Sequence, residues 1–449
     1  MQKHIDSAEG DINLGDRRQA WQAENIGPAS RRLLDEDARW FLHQSMSTPC
    51  LNGLAGAGGS WLTDVEGRRI LDFHGNSLHQ IGHGHPRVVA AIKQTLDTLP
   101  FSPRRYTNQP AVDLARRLCT AAPGGDNKLL LAPGGTAAIG MALKLARLVT
   151  GRFKTLSMWD SFHGASLDAI SIGGEAVFRR GIGPLLPGSE HVPPCDPGRC
   201  IFGCGGQCAL RCVDYIDYCL GKEGDVAAVI VETIRCTDVQ IPPPEYYQRL
   251  RAACDRHGAL LILDEIPIAL GRTGHLFAIE RYGIVPDLLV IGKGLGGGVF
   301  PLAALIARAE FDVGQHISLG HYTHEKNPVA CAAALATLDV LAEENLIERS
   351  RRLGTESLSR LQTIAAGCGA VAEVRGAGLL LAVELRDHAG RRAGDLAEAV
   401  LYRCLSAGLS FKVGQGNVLV LAPPLNIDEA DLEQAFAILE SALQVECGA

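Results

Sequence analysis

What this chain of 449 residues lacks narrows its function before any motif is considered. No apolar run reaches the ~20 residues that a helix needs to span a bilayer. The N-terminal stretch MQKHIDSAEGDINLGDRR is polar and holds no apolar core of the kind that directs secretion. Basic charge is not in excess: 43 Lys and Arg stand against 50 Asp and Glu, a net charge of −7. A mildly acidic chain gives no electrostatic reason to expect nucleic acid or an anionic membrane as partner. No internal repeat of about 20–50 residues is visible. The glycine-rich pieces GAGGSW and GLGGG lack the strand–GxGxxG–helix setting of a dinucleotide site, with its acidic residue ~20 residues on. A cytoplasmic protein is expected. A non-catalytic metal- or nucleotide-binding protein is a remote alternative.

What is present reads as a globular α/β chain. Apolar residues make up 47% and charged residues 21%, values that exclude a disordered or collagen-like polymer. From 128 to 307, short apolar runs alternate with helical segments: KLLLAP, TLSMWD, AAVIVET, ALLILDE, LLVIGKG and PLAALIA. Strands so uniformly apolar suit a sheet covered on both faces, and most links are long enough for crossover helices. A mostly parallel, doubly wound sheet follows. The link from Gly294 to Phe300 is too short for a crossover and predicts one antiparallel strand. Residues 1–65 are expected to be an N-terminal segment belonging to a smaller domain. Residues 66–326 are expected to form a large domain, and 327–449 the smaller C-terminal α/β domain.

In such a sheet ligands gather at the carboxyl ends of strands. Gly134, Gly135 and Thr136 follow KLLLAP and open a helix, either as a plain turn or as a phosphate cradle at a helix N-terminus. Asp264 ends ALLILDE, where a buried carboxylate needs a partner: a structural ion pair, or a protonated ring nitrogen. Lys293 ends LLVIGKG, as a solvated strand end or, desolvated, as a Schiff-base amine. Phe162, in Phe162-His163-Gly164 after TLSMWD, either stacks on a planar cofactor or fills core. Phosphate cradle, stacking ring, acid and lysine together match the needs of pyridoxal phosphate.

These residues carry a resemblance. Gly134-Gly135-Thr136-Ala137-Ala138, Phe162-His163-Gly164, Asp264-Glu265-Ile266 through Gly271-Arg272-Thr273-Gly274, Gly292-Lys293-Gly294, and Thr323 with Asn327-Pro328 stand in the order of the motifs of class III aminotransferases. The chain is similar over nearly its whole length to that family of fold type I pyridoxal-phosphate enzymes. The resemblance implies that Lys293 holds the cofactor's aldehyde and moves the proton, and that Asp264 pairs with the pyridinium nitrogen. It implies that Phe162 and Ile266 sandwich the ring, with His163 beside them. It also implies that Gly135 and Thr136 bind the phosphate, joined by Thr323 from the partner of a homodimer with shared active sites.

Four departures from the family bear on the reaction. Val420 stands where members that use 2-oxoglutarate place a carboxylate-clamping arginine, and Cys236-Thr237 stand where its acidic mask would be. Losing both halves of a charged pair reads as a changed substrate. Pro267 replaces a glutamine and has no N–H to offer. Arg235 replaces another glutamine, and Tyr322-Thr323-His324-Glu325-Lys326 replaces a Phe-Gly-Gly stretch. With the segments SPRRYTN (102–108) and GHYTHEK (320–326), the pattern looks most like the 1-hydroxy-2-aminoethylphosphonate ammonia-lyases of phosphonate catabolism. That resemblance implies that a small hydroxy-amino phosphonate expels its hydroxyl as water and is then hydrolysed to phosphonoacetaldehyde and ammonia. Arg104, Arg105 or Arg235 would take the phosphonate. The acid for the leaving hydroxyl would be Lys293, Tyr322 or His324. Asn76 and His79 are weaker pocket candidates. The alternative is a class III aminotransferase acting on an amine or ω-amino acid with a keto acid such as pyruvate.

No catalytic metal is expected. Yet Cys195, Cys200, Cys204, Cys208 and Cys212 crowd one stretch of an insertion at 195–219, in a chain with 14 cysteines. In a reducing compartment they are not expected to form a disulfide framework. A structural zinc or iron–sulfur site and reduced thiols packing a loop both remain open, because the spacing is irregular for zinc.

Overall fold

A computed structural model describes residues 15–204 and 208–448. Residues 1–14, read above as a polar start, and 205–207 of the cysteine-rich stretch lie outside the described residues. The chain divides into two compact units: Pro86–Cys236 with Gln240–Ile347, and residues 15–85, 237–239 and 348–448. The divisions fall at 85/86 and 347/348 because helix Pro86–Thr98 packs on helix Pro328–Glu343, and so does helix Gln109–Ala121. These contacts hold both flanks in the first unit.

That unit is built on seven strands: β1 (Asn127–Ala132), β2 (Lys154–Met158), β3 (Ser189–Val192), β4 (Val226–Glu232), β5 (Leu260–Asp264), β6 (Leu288–Ile291) and β7 (Ala303–Arg308). Their order is β1-β7-β6-β5-β4-β2-β3. Pairs among β2 to β6 are parallel. β7 runs antiparallel to both β6 and β1, as the short link after Lys293 predicts. Every residue of β5 and β6 is buried, which is why these runs carry no polar alternation. Helix Gly135–Thr150 covers one face, its Ile139, Met141, Ala142 and Leu145 meeting Ile230, Ile262, Val290 and Leu305. Gly151, in the left-handed region at φ 65°, ends that helix with its N–H on the Arg147 carbonyl.

The second unit holds two small sheets. Strands Leu54–Gly58, Trp61–Asp64 and Arg69–Asp72 form an antiparallel meander, extended in parallel by Leu409–Ser410. Val371–Ala377, Leu380–Leu385, Val418–Leu421 and Lys412–Gly414 form the other, all antiparallel. Trp21 and Ile26 share a core with Ile70 and Leu405, which ties the N-terminal helix Asp16–Asn25 to both ends of the unit. One expectation is corrected here. Cys368 and Cys447 are joined as a disulfide, 79 residues apart in sequence and with Cα atoms 6.2 Å apart. Only the folded chain brings the ends of two helices, Leu346–Ala366 and Glu429–Cys447, to one place, so spacing gives no sign of it. Among the described residues no helix is long and apolar enough to cross a membrane.

Candidate active site

The first unit gathers most of the candidate cofactor residues just past the carboxyl ends of β1, β2, β5 and β6. Asp264 closes β5 and is buried. Its Oδ1 accepts the Ile266 N–H at 3.0 Å, and its Oδ2 lies 2.8 Å from Nδ1 of His163. A carboxylate only accepts, so Nδ1 carries the proton and donates it. Nε2 of His163 is buried without a hydrogen-bond partner. Beside Asp264 in register stands Glu232, the last residue of β4. Burial raises its carboxyl above the usual range. Glu232 accepts the N–H groups of Phe162 at 3.0 Å and Cys236 at 3.2 Å. It therefore holds the segment that carries Phe162 and His163. Sequence reasoning passes over Glu232, although the signal that marks Asp264, an acid closing an apolar strand, marks it too.

Helix Gly135–Thr150 opens at Gly134 with no side-chain cap, so its first N–H groups are free for an anion. A Cβ on Gly134 would meet nothing within 4 Å, whereas one on Gly135 would come within 2.7 Å of Ile266 Cδ1. Ile266 also fills the space over Gly292, where a Cβ would lie 3.3 Å from its Cγ2. One side chain thus bridges the helix start and the residue before Lys293. Thr136 Oγ1 accepts the Ala165 N–H at 3.0 Å. Gly164, at φ 128°, gives it room: a Cβ there would stand 1.8 Å from that oxygen. Lys293 has an exposed side chain on a left-handed backbone, φ 46°. For a lysine this is strain of roughly 1–3 kcal/mol, kept only where the surroundings impose it. The residues fit pyridoxal phosphate: an uncapped helix start for the phosphate, a buried acid for the ring nitrogen, and a solvent-reachable amine.

Of the remaining candidate residues, Phe162 precedes His163 in the segment that Glu232 holds. Phe162 packs at 4.5 Å between ring centroids on Phe178. Arg235 is buried and faces two carboxylates, Asp160 and Asp196, each at 3.7 Å. It lines a small cavity of about 30 Å³ with Glu232, Ser161 and Cys195. Arg104 is exposed and set against the ring of His321 at 2.7–2.8 Å, while Arg105, Thr323 and His324 are exposed. The His324 ring meets Phe101 edge-on at 5.4 Å. Tyr322 is half-buried against the core, and its hydroxyl pKa is raised by burial and by Asp168. Asn76, exposed, and His79 belong to the second unit. His79 is fully buried and engages the Asp72 carbonyl at 3.0 Å, the behaviour of a core polar residue. His83 Nε2 lies 2.9 Å from Asp72 Oδ2. Burial pushes that carboxyl up, but His83, His79 and two backbone N–H groups outweigh it and hold it well below the usual range. Among the described residues, Asp72, His79 and His83 are the group whose ligand-type atoms all lie within 4.8 Å of one another. The bonds among them account for that closeness.

The profile of the family "Aminotransferase class-III" matches residues 45–443. The chain is 47% identical, over 98% of its length and 95% of the relative's, to the (R)-1-hydroxy-2-aminoethylphosphonate ammonia-lyase of Vibrio splendidus. It is 38% identical, over 86% of its length and 92% of the relative's, to the acetylornithine aminotransferase of Methanopyrus kandleri. Among solved structures it is similar to an amine transaminase from an uncultivated Pseudomonas species in its pyridoxal-phosphate-bound form. There the TM-score is 0.83 with 30% identity, covering 91% of this chain and 99% of the other.

Proposed function

Since this chain belongs to the class III aminotransferase family, we propose that it is a lyase of that family. It would convert (R)-1-hydroxy-2-aminoethylphosphonate to phosphonoacetaldehyde and ammonia. The likeness to the Vibrio lyase over nearly the whole chain carries this reading. The apolar Val420, at the family's carboxylate-clamp position in sequence, agrees with a substrate that has no α-carboxylate.

The cofactor is pyridoxal phosphate, which when bound supplies an electron sink next to the substrate's amine carbon. The chain's own groups do the rest. N–H groups at the start of helix Gly135–Thr150 and the Thr136 hydroxyl would hold the phosphate. Asp264, kept in place by His163, would hold the ring nitrogen's proton. Phe162, anchored through its N–H by Glu232, and Ile266 would flank the ring. Lys293 Nζ would take the proton from the amine-bearing carbon. The C–O bond to the neighbouring hydroxyl would then break and water leave, its proton coming from Lys293, Tyr322 or His324. Water returns when the C–N bond is hydrolysed, so the net change is loss of ammonia. Arg104, Arg105 or Arg235 would supply the guanidinium group for the phosphonate. A homodimer would bring Thr323 of the second copy to the phosphate.

The test is ammonia release from (R)-1-hydroxy-2-aminoethylphosphonate by cofactor-loaded protein with no keto acid present. Sustained turnover is expected. A single turnover that pyruvate restores would identify an aminotransferase instead.

A further inference from the structure

The segments SPRRYTN (102–108) and GHYTHEK (320–326), far apart in sequence, meet in the folded chain. A turn closed by the Tyr106 N–H on the Pro103 carbonyl at 2.8 Å carries Arg104 and Arg105 at its tip. Asn108 is buried and ties the segments together. Its Oδ1 accepts the Ala111 N–H at 3.0 Å, and its Nδ2 donates to the Lys326 carbonyl at 3.0 Å. Gly320, just before His321, lies so near the core that a Cβ there would stand 2.6 Å from Met141 Sδ. Packing therefore leaves neither segment much room to shift.

The contact made at the tips is one between donors. Nη1 of Arg104 lies 2.8 Å from Nδ1 of His321, and Nη2 lies 2.7 Å from Nε2. A guanidinium only donates. A neutral imidazole has a single acceptor nitrogen, and a protonated one has none. At least one of the two contacts therefore sets an N–H against an N–H. No carboxylate lies within ion-pair distance of Arg104, Arg105 or Lys326 among the described residues to offset the charge. Glu325 is the one acid in the two segments. A basic tip thus stands exposed on a chain whose net charge is −7. An oxyanion lying between the two side chains would accept from both and turn an opposed pair into a matched one.

We propose that Arg104 and His321 together bind the phosphonate group of the substrate, with His321 as a specificity-determining residue beside the arginine. The guanidinium fork and an imidazole N–H suit the several oxygens of a tetrahedral dianion. An amine without an anionic group would leave the donors opposed, so the pair also selects against it. His321 stands two residues before Thr323, the residue assigned above to the cofactor's phosphate, which brings the pair to the same site. The identity of the anion rests on the lyase reading; the donor pair itself does not.

The test uses cofactor-loaded protein. His321→Phe keeps a ring against the guanidinium and removes both ring nitrogens. It should raise KM for (R)-1-hydroxy-2-aminoethylphosphonate about tenfold, the loss of one charge-assisted hydrogen bond, with a smaller change in kcat. His321→Gln, which keeps an N–H donor, should recover part of that loss. Methylphosphonate has no amine to react. In a phosphorus NMR titration it should bind the wild type and should bind His321→Phe about tenfold more weakly. Equal KM and equal methylphosphonate binding in the two proteins would overturn the proposal, while turnover by the wild type would leave the lyase reading in place. Wild-type protein that binds methylphosphonate through His321 yet releases no ammonia would keep the site and overturn the reaction. Loss of pyridoxal phosphate from His321→Phe on dialysis, with KM unchanged, would overturn the proposal by giving the pair to the cofactor's phosphate.

Discussion

His163 donates its Nδ1 proton to Asp264 across 2.8 Å, and neither side chain is more than 2% exposed. A buried hydrogen bond to a charged group contributes about 1.5–3 kcal/mol. Its loss would leave the carboxylate with one fewer partner where it faces the cofactor ring. His163→Ala should lower turnover by roughly 10–100-fold while Lys293 still takes up pyridoxal phosphate. Steady-state kinetics beside an absorbance titration with the cofactor separate the two. Unchanged turnover would mean that Asp264 needs no help from His163.

Arg104 and Arg105 are the candidate phosphonate ligands that are exposed and face no carboxylate within ion-pair distance among the described residues, and Arg104 is the one set against His321. Arg235 already faces Asp160 and Asp196. Arg104→Ala should therefore raise KM for the hydroxy-amino phosphonate by about tenfold or more, the loss of a charge-assisted contact, with a smaller effect on kcat. An unchanged KM would move the phosphonate to another arginine.

A methyl group at Gly164 would collide with the Thr136 hydroxyl, and the φ of 128° excludes an ordinary side chain there. Gly164→Ala should displace Thr136 and loosen the phosphate. The cofactor would then dissociate on dialysis at least about tenfold faster, the effect of roughly 1.4 kcal/mol. A variant that keeps its cofactor as the wild type does would remove Thr136 from the phosphate site.

Burial raises the Glu265 carboxyl from 4.5 to about 7, against hydrogen bonds from Thr233, Ala278 and Ile279 that oppose the rise. Between those pH values the folded chain binds a proton that the unfolded chain does not. The resulting stability is fully present below the unfolded value of 4.5 and is lost as pH rises through about 7. The loss is on the order of 3 kcal/mol. Urea unfolding at pH 5 and pH 8 should show a smaller difference for Glu265→Gln than for the wild type. Equal differences would mean that Glu265 ionises in the fold as freely as in the unfolded chain. Asp72, whose carboxyl is lowered from 3.8, acts only below this window.

Much of this was legible in the sequence because strand burial and strand ends leave local marks. Uninterrupted Leu, Ile and Val runs announced a covered sheet, and the short link after Lys293 announced the antiparallel β7. Asp264 and Lys293 stood out as charges closing apolar strands. Properties that arise from register and long-range closure left no such mark. The neighbouring ends of β4 and β5 make Glu232 a companion of Asp264. The His79 side chain is committed to the Asp72 backbone, and Cys368 finds Cys447 across 79 residues.

Lys293 holds its left-handed backbone at φ 46° without being glycine. Folding alone would select glycine at this position, since glycine adopts that conformation freely. Glycine has no amine, so the fold has no route to relax here without silencing the enzyme. Lys293→Gly should accordingly give a protein that melts later than its parent and does nothing. In this chain the least comfortable residue of its loop is the one that cannot be exchanged.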